Sequence, residues 1–469
     1  MLAIGFGVRR RSRDTVDFFL ARRSLPWWVA SPSTVATEVS AVTLVALTAG
    51  TVRRTALLFA AATLARLVVV VLFIPAFYGH DDVTIYGLLG RRFGPLTRAT
   101  AAGFFLLGGV ILAAVRLMVA ALLVAMVLGW PLAPVLALFT LVAVLYMATG
   151  GVRAVAWANG LQVVVFLGAG VAALAWVVAR VDGGLDTVLH AAGETGRLGV
   201  VEPAGASAIL LLTALFGALA ATGTDQDVMQ RLIAARSRRQ SQVALALAPL
   251  GTALTLTIYL GLGCALAAFY AQHPELPAVP ADQALSHYVQ HALPAALRGL
   301  SLAALVLASL DAPLAGLSAA FVSDVYRPLL VRRAGEAHYL TMARLAVVLF
   351  GLLLGALAWA LWLADGVVPL ALRAGGVTAG PLLGVFLLAL LARRPLADAA
   401  GLGALVTMAA VNGGLLMLAE LGRLPFAWSW LVLVGAAGTV ALAVALDALR
   451  REPAASLPHP ADTSGTRTP

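Results

Sequence analysis

Apolar stretches of about twenty residues recur one after another along this 469-residue chain, and short loops between them hold most of its charge. One such stretch could lie inside a soluble core. A dozen could not, because a water-soluble globule needs polar surface. This chain is 61% hydrophobic and 12% charged, with a mean hydropathy of +0.95. A helix needs about 20 apolar residues to cross a hydrocarbon layer about 30 Å thick, so the chain reads as an all-α integral membrane protein. Soluble enzymes and secreted scaffolds are excluded.

The apolar segments fall at 26–50, 55–78, 99–129, 131–149, 155–180, 205–222, 241–270, 298–322, 341–363, 367–391, 399–420 and 426–447, twelve full spans. Residues 1–8 are also apolar but run directly into Arg9, Arg10, Arg11 and Arg13. A signal peptide carries its positive charge before the apolar run, so this segment reads instead as the tail of a spanning helix whose beginning is absent. The residues after 450 are rich in Pro, Ser, Thr and Ala and should be disordered.

The net charge of +10 could suggest a nucleic-acid partner. Its distribution argues otherwise. All 32 basic residues are Arg, and if the Arg9–Arg23 segment is cytoplasmic, 23 fall in inner loops, six in outer loops and three within spans. That asymmetry sets an orientation, and the expected partner is the lipid bilayer, with no nucleic acid. The single cysteine, Cys264, lies in an apolar run, which excludes an intrachain disulfide and a multi-Cys metal site. No Lys is available for a phosphate-binding loop, and the seven His are scattered. The chain is therefore not expected to be an enzyme, and no cofactor is expected.

Polar groups within the spans are the informative exceptions. Glu38 lies in the polar stretch 33–43 that follows Pro32, inside the first full span. Such a stretch reads as a broken helix, whose unwound backbone offers carbonyls to a cation and a helix end to an anion; a kink satisfied by neighbouring helices is the plainer alternative. Arg66 and Arg116, each costing about 2.5–3.5 kcal/mol at a helix centre, either pair with Glu38 or Asp311, bind a substrate carboxylate, or snorkel. Arg373, nearer a span end, reads as snorkelling. The outer loops 181–204 and 271–297 are polar and long enough to fold over the outer mouth.

Several motifs carry a resemblance: DFFLARRSLPWW at 17–28, ATEVSA at 36–41, GRRFG at 90–94, GGVRAVAW at 150–157 and GTDQDVMQR at 223–231. Leu293-Pro294 with Arg298-Gly299-Leu300, ASLD at 308–311 and SDVY at 323–326 follow in order. Together they resemble the sodium/solute symporters, which include the sodium/galactose and sodium/proline transporters. The resemblance implies a LeuT-type fold of inverted five-helix repeats, about twelve full transmembrane helices plus the truncated first helix, in a bacterial inner or cytoplasmic membrane. The parts would be 1–25, the truncated helix and cytoplasmic loop; 26–180, the first repeat; 205–392, the second, inverted repeat; 399–447, two C-terminal helices; and 448–469, a disordered cytoplasmic tail.

The family's function, sodium-driven symport of a small organic solute by alternating access, is the expected one. The resemblance assigns a sodium ion to carbonyls at Ala36 and Val39 and to the positions of Leu305, Ala308 and Ser309, of which Ser309 alone keeps its hydroxyl. The ion path would include Asp311 and Asn159, where the family's Trp-Thr-Asp run reads Trp157-Ala158-Asn159. Positions that hold the sugar in the galactose transporter are here Thr43, Phe59, Ala62, Ala218 and Ala221, so that sugar set is not retained. Glu38, Ser40, Thr43, Thr63 and Arg66 are the expected substrate-binding residues, a set that suits a small polar or carboxylate-bearing solute. Two alternatives stay open on the eroded ion site: a sodium-independent carrier, proton-coupled or passive, and a degenerate, transporter-like solute sensor.

Overall fold

The computed structural model describes residues 14–39, 41–194, 197, 199, 206–276, 280–281, 283–309, 313–364 and 367–450. The expected first-helix remnant at 1–8 and the tail beyond 450 lie outside these residues. Among the described residues the fold is all helix, with one isolated bridge between Leu25 and Ala235 as its β-type pairing.

In chain order the helices are α1 (Thr15–Leu20), α2 (Trp27–Glu38), α3 (Ala41–Ala49), α4 (Val52–Tyr78), α5 (Tyr86–Arg92), α6 (Pro95–Leu128) and α7 (Leu132–Val178). Then follow α8 (Gly184–Glu194), α9 (Ala206–Gly223), α10 (Gln226–Ile233), α11 (Arg238–Gln272), α12 (Ala284–His291) and α13 (Ala295–Ser309). The last five are α14 (Leu314–Ala320), which widens into a π-helical stretch over Phe321–Leu330, α15 (Glu336–Leu363), α16 (Val367–Leu391), α17 (Asp398–Glu420) and α18 (Leu431–Leu449).

Eight of these are individually long and apolar enough to cross a membrane, and nine if α9 and α10, bent by 56°, form one span. The difference from twelve has three local sources. At 1.5 Å per residue the 47 residues of α7 would extend roughly 70 Å, more than two bilayer cores. It is divided at Gly151, whose φ of 59° and ψ of −162° are non-helical. The segments 26–50 and 298–322 are each divided into shorter helices, α2 with α3 and α13 with α14, and neither half meets a span's length. The chain is a multi-pass membrane protein.

Side chains on the helix surfaces follow the solvent they meet. Leu64, Val71, Val164, Leu250 and Leu349 point outward, as a lipid-facing surface requires, while Arg231, Tyr86, Tyr146 and Phe386 are buried between helices. Helix α2 is exposed at Trp27 and Trp28 but buried over most of its remaining length, with Ser33, Thr34 and Ala36 at or below 1% exposure. It packs between α7 and α11, which places the break at its end deep in the bundle.

Candidate functional site

The first full span is broken where the polar stretch predicts. Helix α2 tolerates its internal Pro32, and Thr34 Oγ1 and Thr37 Oγ1 donate to the carbonyls of Ala30 and Ser33 one turn back. At Val39 the backbone is extended, φ −99° and ψ 99°, and the next helix begins at Ala41. A helix end leaves carbonyls without intrahelical donors, and here that end is buried, with Ala36 at 1% and Val39 at 2% exposure.

Beside this break lies a cavity of about 420 Å³, ordinary for a small-molecule site. One wall is a stripe of α4 at helical spacing: Thr55, Phe59, Ala62 and Arg66. The rest comes from Glu38 at the end of α2, Arg116 on α6, Ala218 and Ala221 on α9, Asp225 and Asp227 at the start of α10, and Thr252 on α11. From Thr55 to Arg66 is three helical turns, roughly 16 Å, about half a bilayer core. The cavity therefore reaches from near the Arg-poor end of the bundle to its middle.

Its charges are arranged unequally. Arg66 is 3% exposed and grips Glu38 with two nitrogens, Nε donating to Oε1 at 3.2 Å and Nη2 to Oε2. Its Nη2 also lies 3.5 Å from Thr252 Oγ1. Arg116 forms no hydrogen bond or ion pair with a described residue, although Glu38 and Asp225 both lie within its electrostatic range. Asp225 caps α10, accepting from the amides of Asp227 at 2.7 Å and Val228 at 3.2 Å. Asp227 pairs with Arg231 at 2.9 Å.

Glu38 and Arg66, expected in the substrate set, thus line the cavity as a pair. Thr43 does not line it and donates to the Glu38 carbonyl at 3.3 Å; Thr63 is also outside the lining, its hydroxyl buried without a partner. Ser40 and Asp311 lie outside the described residues, as does the Ser309 side chain; Ser309 itself is the last residue of α13. Asn159 is fully buried, its Nδ2 reaching Ser33 Oγ at 3.4 Å one turn before Thr37, so it stands against the broken helix. Of the positions matched to the sugar site, Phe59, Ala62, Ala218 and Ala221 line the cavity and Thr43 does not. Sequence reasoning left Arg116 among several options and missed Asp225, Asp227 and Thr252 as cavity residues. The motif GTDQD contained the signal for the two acids, but which way they face depends on the bend between α9 and α10.

The Arg-rich end is stitched shut. Asp324, 0% exposed, accepts from Thr84 Oγ1 at 2.8 Å and Arg98 Nε at 2.7 Å. Tyr78 donates to the Leu232 and Ala235 carbonyls, Gln230 donates to Phe19 O, and the Leu25 and Arg236 amides close the bridge to residues 234 and 25. At the other end Arg197 Nη1 donates to Thr48 O, and the Val52 amide to Arg197 O, which lays part of the loop 181–204 against α3 and α4.

A membrane-embedded bundle with a mid-depth charged cavity, a broken helix beside it and one end sealed is the architecture of a secondary transporter rather than an enzyme. Residues 18–410 match the sodium:solute symporter family, and the chain belongs to that family. It is 27% identical over 431 residues to the sodium/sialic acid symporter of Aliivibrio fischeri, covering 88% of this chain and 84% of that protein. To the human sodium-coupled monocarboxylate transporter 1 it is 26% identical over 417 residues, covering 84% and 66%. Its fold is similar to the solved structure of a Na⁺-coupled sialic acid symporter in a substrate-bound outward-open state, with a TM-score of 0.85 at 22% identity, covering 96% and 95%. A nucleobase-cation-symport-1 family transporter aligns with a TM-score of 0.57 at 15% identity, covering 94% and 95%.

Proposed function

We propose that this chain is a sodium-driven symporter that takes up a small organic monocarboxylate by alternating access across a bacterial cytoplasmic membrane. The observation that carries the solute class is Arg116: a guanidinium that lines the cavity and has no acid within ion-pair distance among the described residues. A guanidinium offers a two-pronged donor set matched to a carboxylate, and inside a membrane protein an unpaired one calls for an anionic partner. Relatives named for sialic acid and for monocarboxylates support the same class. Arg66 is the lesser anchor because Glu38 already neutralises it.

Sodium would sit at the end of α2, on carbonyls of Ala36 and Val39 with the Ser309 hydroxyl, within the inverted-repeat frame 26–180 and 205–392. Family membership supports sodium coupling. The second reading, a proton-coupled or passive carrier, is favoured by Ala308 and Asn159, which replace an oxygen ligand and a path carboxylate.

Thermal melting of the purified protein tests both. A ligand bound only by the folded state raises the midpoint by mass action. The expected result is a rise in NaCl over choline chloride at equal ionic strength, and a further rise with one or more of a panel of monocarboxylates that Arg116→Gln abolishes. Carboxylate responses that survive Arg116→Gln would remove the anchor, and indifference to sodium with a pH-dependent solute response would favour the second reading.

A further inference from the structure

The cavity has a second pole that a simple monocarboxylate leaves unused. At the start of α10, Asp225 and Asp227 both line it. Asp227 spends Oδ2 on Arg231 at 2.9 Å, while Oδ1 is buried without a partner on a side chain 8% exposed. Asp225 accepts its two amide hydrogen bonds through Oδ1 alone and has no cation within ion-pair distance among the described residues. A buried carboxylate oxygen that lacks a donor is costly, and the great majority of such atoms in folded proteins are satisfied. Asp227 Oδ1 presents almost no accessible surface, so the oxygen left for a solute in the cavity is Asp225 Oδ2, which accepts no hydrogen bond from a described residue.

Arg116 lies within electrostatic range of Asp225, yet the two make no ion pair. Two opposite charges that line one cavity without touching leave between them a space with a cationic and an acidic side. Gly316 shows that the acidic side is set in place by packing: a Cβ there would stand 2.9 Å from the Asp227 Cα and backbone nitrogen, so α14 presses against the first turn of α10. The poles are fixed before a solute arrives, which is the condition for selectivity.

We propose that the Asp225–Asp227 pole recognises a protonated amine on the solute, so that the cavity takes zwitterionic amino carboxylates in preference to hydroxy or unsubstituted acids. The ammonium would supply a donor to Asp225 Oδ2, with the Asp227 charge behind it, while the carboxylate meets Arg116. This rests on the reading of Arg116 as the carboxylate anchor and adds the second recognition element to it. A site built to bond a substrate N–H discriminates strongly against an analogue that lacks it, because its own polar groups are then left unpaired.

The test uses the full-length purified protein and matched sets of probes: alanine, lactate and propionate, then leucine, its 2-hydroxy analogue and 4-methylvalerate. Apparent affinities come from melting-midpoint shifts in sodium. In one set or both, the amino member is expected to bind at least about tenfold tighter than its hydroxy analogue. Asp225→Asn removes the charge but keeps a good helix-capping side chain, so the fold is retained while the preference falls to about twofold or less.

Hydroxy members that bind as tightly as amino members in both sets would overturn the proposal, as would an amino preference that Asp225→Asn leaves intact. So would an Asp225→Asn protein that loses the sodium-induced shift but keeps the amino preference, since the acid would then serve the ion. Arg116→Gln separates the two readings. If it spares carboxylate binding while the amino preference still depends on Asp225, the anchor reading fails and the amine pole stands. If it abolishes binding of hydroxy acids that show no disadvantage in the parent, the anchor stands and the amine pole fails.

Discussion

Arg66 meets Glu38 head-on at the break of the first span, its Nε 3.2 Å from one carboxylate oxygen and its Nη2 on the other. The guanidinium is almost fully buried, with side-chain exposure of 4%, against 22% for the acid. Removing one member leaves an uncompensated, largely buried charge, which costs more than the pair itself contributes. Glu38→Gln and Arg66→Gln should each destabilise the protein by about 3 kcal/mol, and the double variant should recover most of that loss. Melting midpoints of the four proteins check it; additive losses in the double variant would mean that the pair is not coupled.

Opening the sealed end requires parting Arg98 from Asp324, which also holds Thr84. Asp324→Asn weakens this charge-assisted bond and should shift the population toward a conformation open at the Arg-rich end. The chain's single cysteine, Cys264, is buried at 8% exposure, so a second one reports cleanly. In a Ser318→Cys background, at a position with 0% exposure, labelling by a polar maleimide should be slow and should quicken several-fold with Asp324→Asn. Equal labelling rates would show that the contact does not gate that end.

The spans were legible because lipid imposes a composition rule that soluble folds lack, and the break at Glu38 was legible because Pro32 and a polar run interrupt an apolar one. Facing was harder to read. Thr55, Phe59, Ala62 and Arg66 share a helical stripe, and Thr63 lies on its flank, about 70° from the stripe's centre. Thr43 lies just past an extended residue, where the helical phase restarts and the sequence alone gives no register. Asp225 and Asp227 enter the cavity through a 56° bend, a tertiary feature, and so read from sequence as a motif without a direction. The pairing of Arg66 with Glu38 was one of the alternatives that charge arithmetic allowed, and Arg373, read as snorkelling, meets Glu420 at the end of α17 at 2.5 Å.

Two glycines hold backbones where no side chain fits. Gly151 divides α7 at φ 59°, and a Cβ there would stand 2.6 Å from the Phe18 carbonyl oxygen. Backbone atoms cannot swing aside as a side-chain end can, so Gly151→Ala combines left-handed strain with a clash. Gly316→Ser places its Cβ against the Asp227 backbone at 2.9 Å. Each substitution should cost about 1–3 kcal/mol, whereas Gly103→Ala, with nothing within 4 Å of its Cβ, should be near neutral. Expression yield and melting midpoint rank the three; equal stability across them would refute the packing argument.

Protonation offers a separate handle at the Arg-poor end. His287 on α12 shares a hydrogen bond between its Nδ1 and Tyr270 Oη at 2.7 Å and stacks on His291 with ring centroids 4.4 Å apart. Burial, and next the neighbouring His291, hold the His287 imidazole below its usual 6.5. The unfolded chain therefore takes up this proton first as pH falls through 6.5, and the folded state only at lower pH. A state that binds more protons gains on acidification, so stability contributed by neutral His287 is present above pH 6.5 and declines below it. The melting midpoint should fall between pH 7.5 and 5.5, and His287→Gln, which cannot charge, should flatten its share of that fall. Other titrating groups are common to both proteins and cancel in the difference between the two profiles. A difference that stays constant across this range would show that His287 titrates alike in the folded and unfolded chain.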